Sequence, residues 1–282
     1  MELTLIMDKI NLGIYEKALP NSLSLDQKLK FAKEIGFDQL EISIDESDEK
    51  LNRLYDGTSD ILKKSQVECD MRIRTMCLSG HRKYPFGSSK KEIREKSMDI
   101  MKNAIEFSDN NGIRIIQLAG YDVYYEESTN DSKKYFLENL SKAVDIASKY
   151  GVILAFETME TEFMDTVEKA MHYVDIINSP YLGIYPDIGN LKNAAVKYGT
   201  DVIEDLKKGA GHIFAAHLKE TNPGIYRDMK FGSGGHTEYE RSIEELKNQK
   251  VAIYTGEFWD HGEENYKEIT KDSYEFLVNK LK

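Results

Sequence analysis

Short apolar runs alternate along the chain with longer stretches in which apolar residues recur every three or four positions. The clearest run is Val152-Ile-Leu-Ala-Phe-Glu157, bounded by Gly151 and Thr158 and ending in a carboxylate. Continuous apolarity over this length predicts a strand buried on both faces, as in a parallel sheet. Further runs at 11–15, 37–43, 71–77, 113–118, 181–187, 213–217 and 251–257 also read as strands. Helical spacing predicts helices over 28–35, 48–65, 90–110, 132–150, 165–178, 192–208, 238–249 and 265–282. Ser24-Leu-Asp-Gln27 has the capping-box form ahead of the first helix, and Gly36 and Gly151 supply stops. Strands and helices alternate eight times, with no Pro/Gly-rich linker or low-complexity segment between them. That pattern predicts one domain over 1–282, an α/β fold of the (β/α)8 TIM-barrel type. An open doubly wound sheet is the alternative arrangement of the same alternation.

Composition narrows the partners. With 40% hydrophobic and 10% aromatic residues, a chain of 282 residues can bury a sizeable core. The 38 basic and 49 acidic side chains give a net charge of −11. An acidic surface repels a phosphate backbone, so nucleic acid is not the expected partner. A phosphorylated substrate would need a local cluster of positive groups. Cys69 and Cys77 are too few for a disulfide framework and fit a reducing cytoplasm. The opening Met1-Glu-Leu-Thr-Leu-Ile-Met7 lacks the basic start and apolar stretch of a signal sequence. No run approaches the ~20 apolar residues of a membrane span. The expectation is a soluble cytoplasmic protein.

Four of the runs end in residues that carry chemistry: Glu157, Asp187, His217 and Glu257. The steps between them are 30, 30 and 40 residues, about one βα unit each. In a barrel of this kind functional groups gather at the C-terminal ends of the strands. Three carboxylates and an imidazole there predict a site for a divalent metal ion such as Mn2+, Zn2+ or Co2+. Taken singly, each residue has a plainer reading as a helix cap, a salt-bridge partner or a hydrogen-bonded core histidine. Four in succession on four strands favour the metal.

At this point the chain resembles a known group. The segments L-G-I-Y-E-K-A-L-P (12–20), M-C-L-S-G-H-R-K-Y-P-F-G-S (76–88), Y-P-D-I-G-N-L (185–191), H-L-K-E-T-N-P-G (217–224) and G-E-F-W (256–259) carry the likeness. They look like the L-ribulose-5-phosphate/L-xylulose-5-phosphate 3-epimerases of L-ascorbate and related pentose pathways, in the xylose-isomerase-like barrel superfamily. The resemblance runs nearly the whole length, and the strand-end residues match the superfamily's metal ligands position by position. It implies a small sugar phosphate as substrate and a homodimer as the assembly.

The implied reaction removes a proton from C3 of a 2-ketose and returns one to the other face through a cis-enediolate. Glu157 and Glu257, three strands apart around an eight-strand ring, would stand on opposing walls as the acid/base pair. Asp187 and His217 between them would be the more structural ligands. Arg227 matches the superfamily arginine that hydrogen-bonds the C2–C3 oxygens of the substrate. Asn190 stands where related ketose 3-epimerases without phosphate preference carry histidine, a departure that leaves an amide for a sugar hydroxyl. For the phosphate, two donor sets compete. One is the Gly232-Ser233-Gly-Gly235 run with the Ser233 hydroxyl, and the other is the basic cluster His81-Arg82-Lys83 after the third strand. Lys219, two residues past a ligand, is expected to face away from His217, as a substrate contact or a salt-bridge partner. Tyr121, Tyr124, Tyr125 and Trp259 read as packing, with room for one to wall the pocket.

Three rival functions use the same pattern. An aldose–ketose sugar-phosphate isomerase of the hexulose-6-phosphate isomerase kind would need a second set of metal ligands, for which no clear set is found. A zinc-dependent nuclease of abasic DNA would need more than six histidines and basic loops. A non-catalytic sugar-phosphate binding protein would have no use for a carboxylate pair.

Overall fold

In the computed structural model, which describes residues 10–282, the apolar runs become parallel strands and the periodic stretches the helices around them. The opening residues 1–9, read above for a leader, lie outside the described residues. The strands are β1 (Asn11–Tyr15), β2 (Gln39–Ile44), β3 (Thr75–Leu78), β4 (Ile115–Ala119), β5 (Ile153–Glu157), β6 (Leu182–Tyr185), β7 (Ala216–Leu218) and β8 (Ile253–Gly256). Each pairs in parallel with its chain neighbour from β1 to β6, β7 pairs with β8, and β1 pairs with β8. The β6–β7 seam is shorter. Bridges at Ile184–Ile213 and Asp187–His217 hold it, with Ile184 N donating to His212 O (2.8 Å) and Phe214 N to Ile184 O (3.1 Å). The ring is therefore nearly closed, a barrel rather than an open doubly wound sheet.

The helices are α1 (Leu25–Ile35), α2 (Asp48–Asn52), α3 (Thr58–Glu68), α4 (Lys91–Asn111), α5 (Asn130–Tyr150), α6 (Val167–Ile177), α7 (Ile188–Tyr198), α8 (Val202–Lys208), α9 (Tyr239–Asn248) and α10 (Tyr266–Leu281). The capping box predicted ahead of α1 is formed: Gln27 N donates to Ser24 Oγ and Ser24 N to the Gln27 side chain. Two stretches expected as single helices are split. The chain breaks at Gly57 (φ 85°) between α2 and α3, and at Gly199 (φ 66°) between α7 and α8. At the second break Asp201 caps α8 by accepting from Ile203 N and Glu204 N. Among the described residues no helix is long and apolar enough to cross a membrane.

Strand residues alternate between two environments. Leu12, Ile14, Leu40, Ile42, Ile116, Leu118, Leu154 and Phe156 point outward into the main core against the helices. The opposite parity fills the barrel. Its floor is apolar, with Ile115, Ala155, Tyr185 and Ala215 in one cluster. Above the floor the same parity turns polar, with Glu41, Gln117, Glu157, His217 and Thr255 all buried. This polar layer at the C-terminal mouth is where chemistry resides in such barrels.

Candidate active site and metal centre

Local structure delivers each strand-end residue separately. Glu157 is the last residue of β5, His217 the middle residue of β7, and Glu257 the residue after β8. Asp187 lies two residues past β6 and caps α7, its Oδ1 accepting from Asn190 N at 2.8 Å. That bond leaves Oδ2 facing the barrel axis. α7 begins this close to the sheet because Gly189 lets it; a Cβ there would meet Lys219 O at 2.8 Å.

The four side chains converge. One ligand atom from each of Glu157, Asp187, His217 and Glu257 lies within 4.8 Å of every other, and all four residues are buried. His217 Nδ1 faces Glu157 Oε1 at 3.2 Å, Glu257 Oε2 at 3.3 Å and Asp187 Oδ2 at 4.0 Å. Its other nitrogen, Nε2, sits 2.7 Å from Glu41 Oε1. With the Nε2 proton given to Glu41, a neutral ring would aim its Nδ1 lone pair at carboxylate oxygens. The Gln117 amide, its Nε2 3.4 Å from Nδ1, is a weak donor to that lone pair, and a cation among the carboxylates or a further proton would relieve the remaining repulsion. Lys219 Nζ lies 2.7 Å from Asp187 Oδ2 and 3.2 Å from Glu257 Oε2, yet neither oxygen has a well-aligned hydrogen-bond donor. Three hard oxygens and an imidazole nitrogen around one point are a donor set that fits a divalent cation.

The electrostatics agree. Burial pushes the Glu157 and Asp187 carboxyls above their usual range, and the charge of Glu257 adds to both shifts. Burial acts the same way on Glu257, but Lys219 and His217 outweigh it and hold that carboxyl well below the usual range. Burial alone would lower His217, whereas Glu41 and Glu257 raise it well above an ordinary histidine. A metal-free site therefore draws in protons to balance its carboxylates.

Above the cluster a cavity opens to solvent, with about 560 Å³ of non-atom space when its open mouth is included. Glu157, Glu257, Asn190 and Lys219 form its floor, Tyr15 and Trp259 one wall, and Lys17, Ser79, Arg82, Glu160 and Arg227 the polar remainder. Tyr15 and Trp259 meet edge to face, 6.4 Å between centroids. Asn190 Nδ2 donates to Thr158 O (2.8 Å), which fixes the amide and leaves Oδ1 buried without a partner. Arg227 reaches in from the loop after β7 and pairs with Glu160 across the mouth at 3.0 Å. The Arg82 guanidinium lies over the Tyr124 ring, its Nε buried and unpartnered, and the Ser79 Oγ is likewise unpartnered.

Lys219 does not face away from His217. Positions two apart on a strand share a side, so it enters the same site. His81 turns away from the cavity, its ring packed on Phe86 and its Nε2 3.1 Å from Ser97 O on α4. Burial lowers its pKa to about 4, so it carries no charge to offer a phosphate. Ser233 is exposed in a turn where its N–H donates to Lys230 O, and it does not line the cavity. Tyr125 is also exposed, bonded to Glu46. Sequence reading passed over Glu41, Tyr15, Lys17 and Glu160. The available signal for Glu41 was a charge in the middle of the strand Gln-Leu-Glu-Ile-Ser-Ile, every residue of which is buried.

A parallel barrel with a buried Glu–Asp–His–Glu cluster at its mouth defines a class of enzyme, and comparison with known proteins gives the family. The profile of the xylose isomerase-like TIM barrel matches residues 29–280, and the chain belongs to that family. It is 41% identical over 258 residues to the L-ribulose-5-phosphate 3-epimerase UlaE of Shigella boydii, covering 90% of this chain and 89% of that protein. Among solved structures, an L-ribulose 3-epimerase superposes with a TM-score of 0.75 at 16% identity, over 96% of this chain and 94% of the other. The IolI protein, solved with a bound zinc atom, gives 0.79 at 18% identity over 96% and 98%. The chain is an enzyme of the isomerase class.

Proposed function

We propose that this enzyme is a divalent-metal-dependent 3-epimerase interconverting L-ribulose 5-phosphate and L-xylulose 5-phosphate, with Glu157 and Glu257 as its acid/base pair. The observation that carries the reading is the placement of those two carboxylates. They come from the C-terminal ends of β5 and β8, lie 3.2 and 3.3 Å from His217 Nδ1, and both line one cavity. The 41% identity to a named L-ribulose-5-phosphate 3-epimerase supports the substrate. Glu157, Asp187, His217 and Glu257 would hold the ion. Bound there, a divalent ion supplies Lewis-acid stabilisation of the charge that develops when a proton leaves carbon next to a carbonyl.

The chain's own groups supply the rest. One glutamate takes the C3 proton from one face while the other delivers a proton to the opposite face, and the roles exchange in the reverse direction. Lys219 keeps a positive charge beside them. Asn190 Oδ1, an acceptor with no internal partner, takes a hydrogen bond from a sugar hydroxyl and disfavours an anion at that end. Arg82, Ser79 and Lys17, the last paired with Asp45 at 2.7 Å, also line the cavity and offer donors that suit the phosphate. Arg227 closes over the substrate from the loop after β7.

The test is product identity. Enzyme loaded with Mn2+ or Zn2+ is incubated with L-xylulose 5-phosphate and the mixture read by 13C NMR. L-Ribulose 5-phosphate is the expected product. An aldose product instead assigns the site to aldose–ketose isomerisation, and tight binding without turnover assigns it to a sugar-phosphate binding protein.

A further inference from the structure

Beneath the ligand cluster lies a second buried polar set that the proposed reaction leaves unused. Glu41 on β2 is fully buried, as are Tyr185 on β6, Thr255 on β8 and His217 on β7. Glu41 Oε1 meets His217 Nε2 at 2.7 Å, and Glu41 Oε2 accepts from Tyr185 OH at 2.8 Å. The Tyr185 hydroxyl in turn lies 2.9 Å from Thr255 Oγ1. Tyr185 spends its one hydroxyl proton on Glu41, so Thr255 must donate to Tyr185. The chain of donors thus has one direction. It ends on a carboxylate placed against the far nitrogen of a histidine whose near nitrogen faces three carboxylates.

We infer that Glu41 is a positioning residue for the metal centre: it holds the proton of His217 on Nε2 and presents Nδ1 to the ion. Its reach is across the barrel, from β2 to β7, so the backbone near His217 does not do this on its own. A carboxylate in that place both fixes the ring and raises its donor strength toward a cation. Tyr185 and Thr255 keep Glu41 from rotating toward other donors. Because both Glu41 oxygens are engaged, the orientation of His217 is determined before any ion arrives. This inference rests on the metal reading above.

The experiment compares wild type with Glu41→Gln and Glu41→Ala, each stripped of metal and titrated with Mn2+ alone by calorimetry. Glutamine keeps an oxygen for Nε2–H but loses the charge, so roughly tenfold weaker Mn2+ binding is expected, and about 100-fold for alanine. Thermal melts of the metal-free proteins separate this from loss of fold: a folded Glu41→Gln variant with weakened Mn2+ binding supports the assignment. In the Zn2+-loaded wild type, 15N spectra of labelled histidine should place the His217 proton on Nε2. A proton on Nδ1, or both variants binding Mn2+ within twofold of wild type, overturns it. Wild-type protein that binds no Mn2+ overturns the metal reading itself and this inference with it.

Discussion

Lys219 Nζ lies 2.7 Å from Asp187 Oδ2, both side chains buried at the floor of the cavity. A site with three carboxylates and one ammonium is balanced by two further positive charges, the charge of a divalent ion. On the proposed metal reading, Lys219 offsets one of the three carboxylates that would hold the ion.

Replacing that lysine should separate binding from turnover. Lys219→Met removes a repulsive neighbour of the ion, so Mn2+ affinity should rise roughly tenfold or more. Loss of a buried positive charge beside the reacting atoms should lower kcat by about 100-fold. Calorimetry and steady-state kinetics on one preparation read both. A variant that loses metal and activity together would show the lysine to be a packing residue.

The phosphate should be sensed at Arg82 and not at His81 or Ser233. Arg82→Gln should raise KM for the ketopentose phosphate by about 10- to 100-fold, the worth of a charge-assisted hydrogen bond. It should leave the weak turnover of the unphosphorylated ketose unchanged. Ser233→Ala should alter neither, since that hydroxyl is outside the cavity.

Acid stability should depend on Glu16. Its carboxylate, fully buried just past β1, accepts from Arg53 at 2.8 and 3.0 Å and lies 3.5 Å from both Lys28 and Lys50. Burial alone would raise its pKa, but Arg53, Lys50 and Lys28 prevail and lower it from 4.5 to about 2. The folded value lies below the unfolded one, so the stabilisation is complete above the ordinary glutamate pKa and is lost as pH falls toward 2. It amounts to roughly 3 kcal/mol. Urea midpoints between pH 6 and 2.5 should therefore fall more steeply for wild type than for Glu16→Gln. At neutral pH that variant should be less stable by about 3–5 kcal/mol, with its cations left unpaired.

Barrel closure should hinge on Gly183. A Cβ there would come within 2.4 Å of His212 O and 2.2 Å of the Phe214 ring, on the short seam between β6 and β7. Gly183→Ala should lower unfolding stability by about 3 kcal/mol, measured by urea denaturation, and loosen Asp187 against His217. A variant as stable as wild type would mean that the seam has slack.

Much of this architecture was legible in the chain. Glu157 ends β5 and Glu257 follows β8 as the apolar runs implied, because a run buried on both faces shows where it stops. The same continuity concealed the barrel interior. Glu41, Gln117 and Thr255 occupy alternate strand positions, and only their parity, not their local apolarity, marks them as facing inward. The splits at Gly57 and Gly199 were missed because helical spacing persists across each break while the backbone there turns left-handed. His81 and Ser233 show a different gap. A loop sequence states which groups are available but not which way they turn, and packing on Phe86 decided that for His81.

The most direct measurement is the position of solvent label. Metal-loaded enzyme turns over L-xylulose 5-phosphate in D2O, and the recovered pentulose phosphates are read by NMR. If Glu157 and Glu257 act as the proposed acid/base pair, deuterium is expected at C3 of the L-ribulose 5-phosphate formed, with C1 unlabelled. Deuterium at C1, or epimerisation with no solvent label at C3 at any extent of reaction, would contradict the assignment of Glu157 and Glu257 as the acid/base pair.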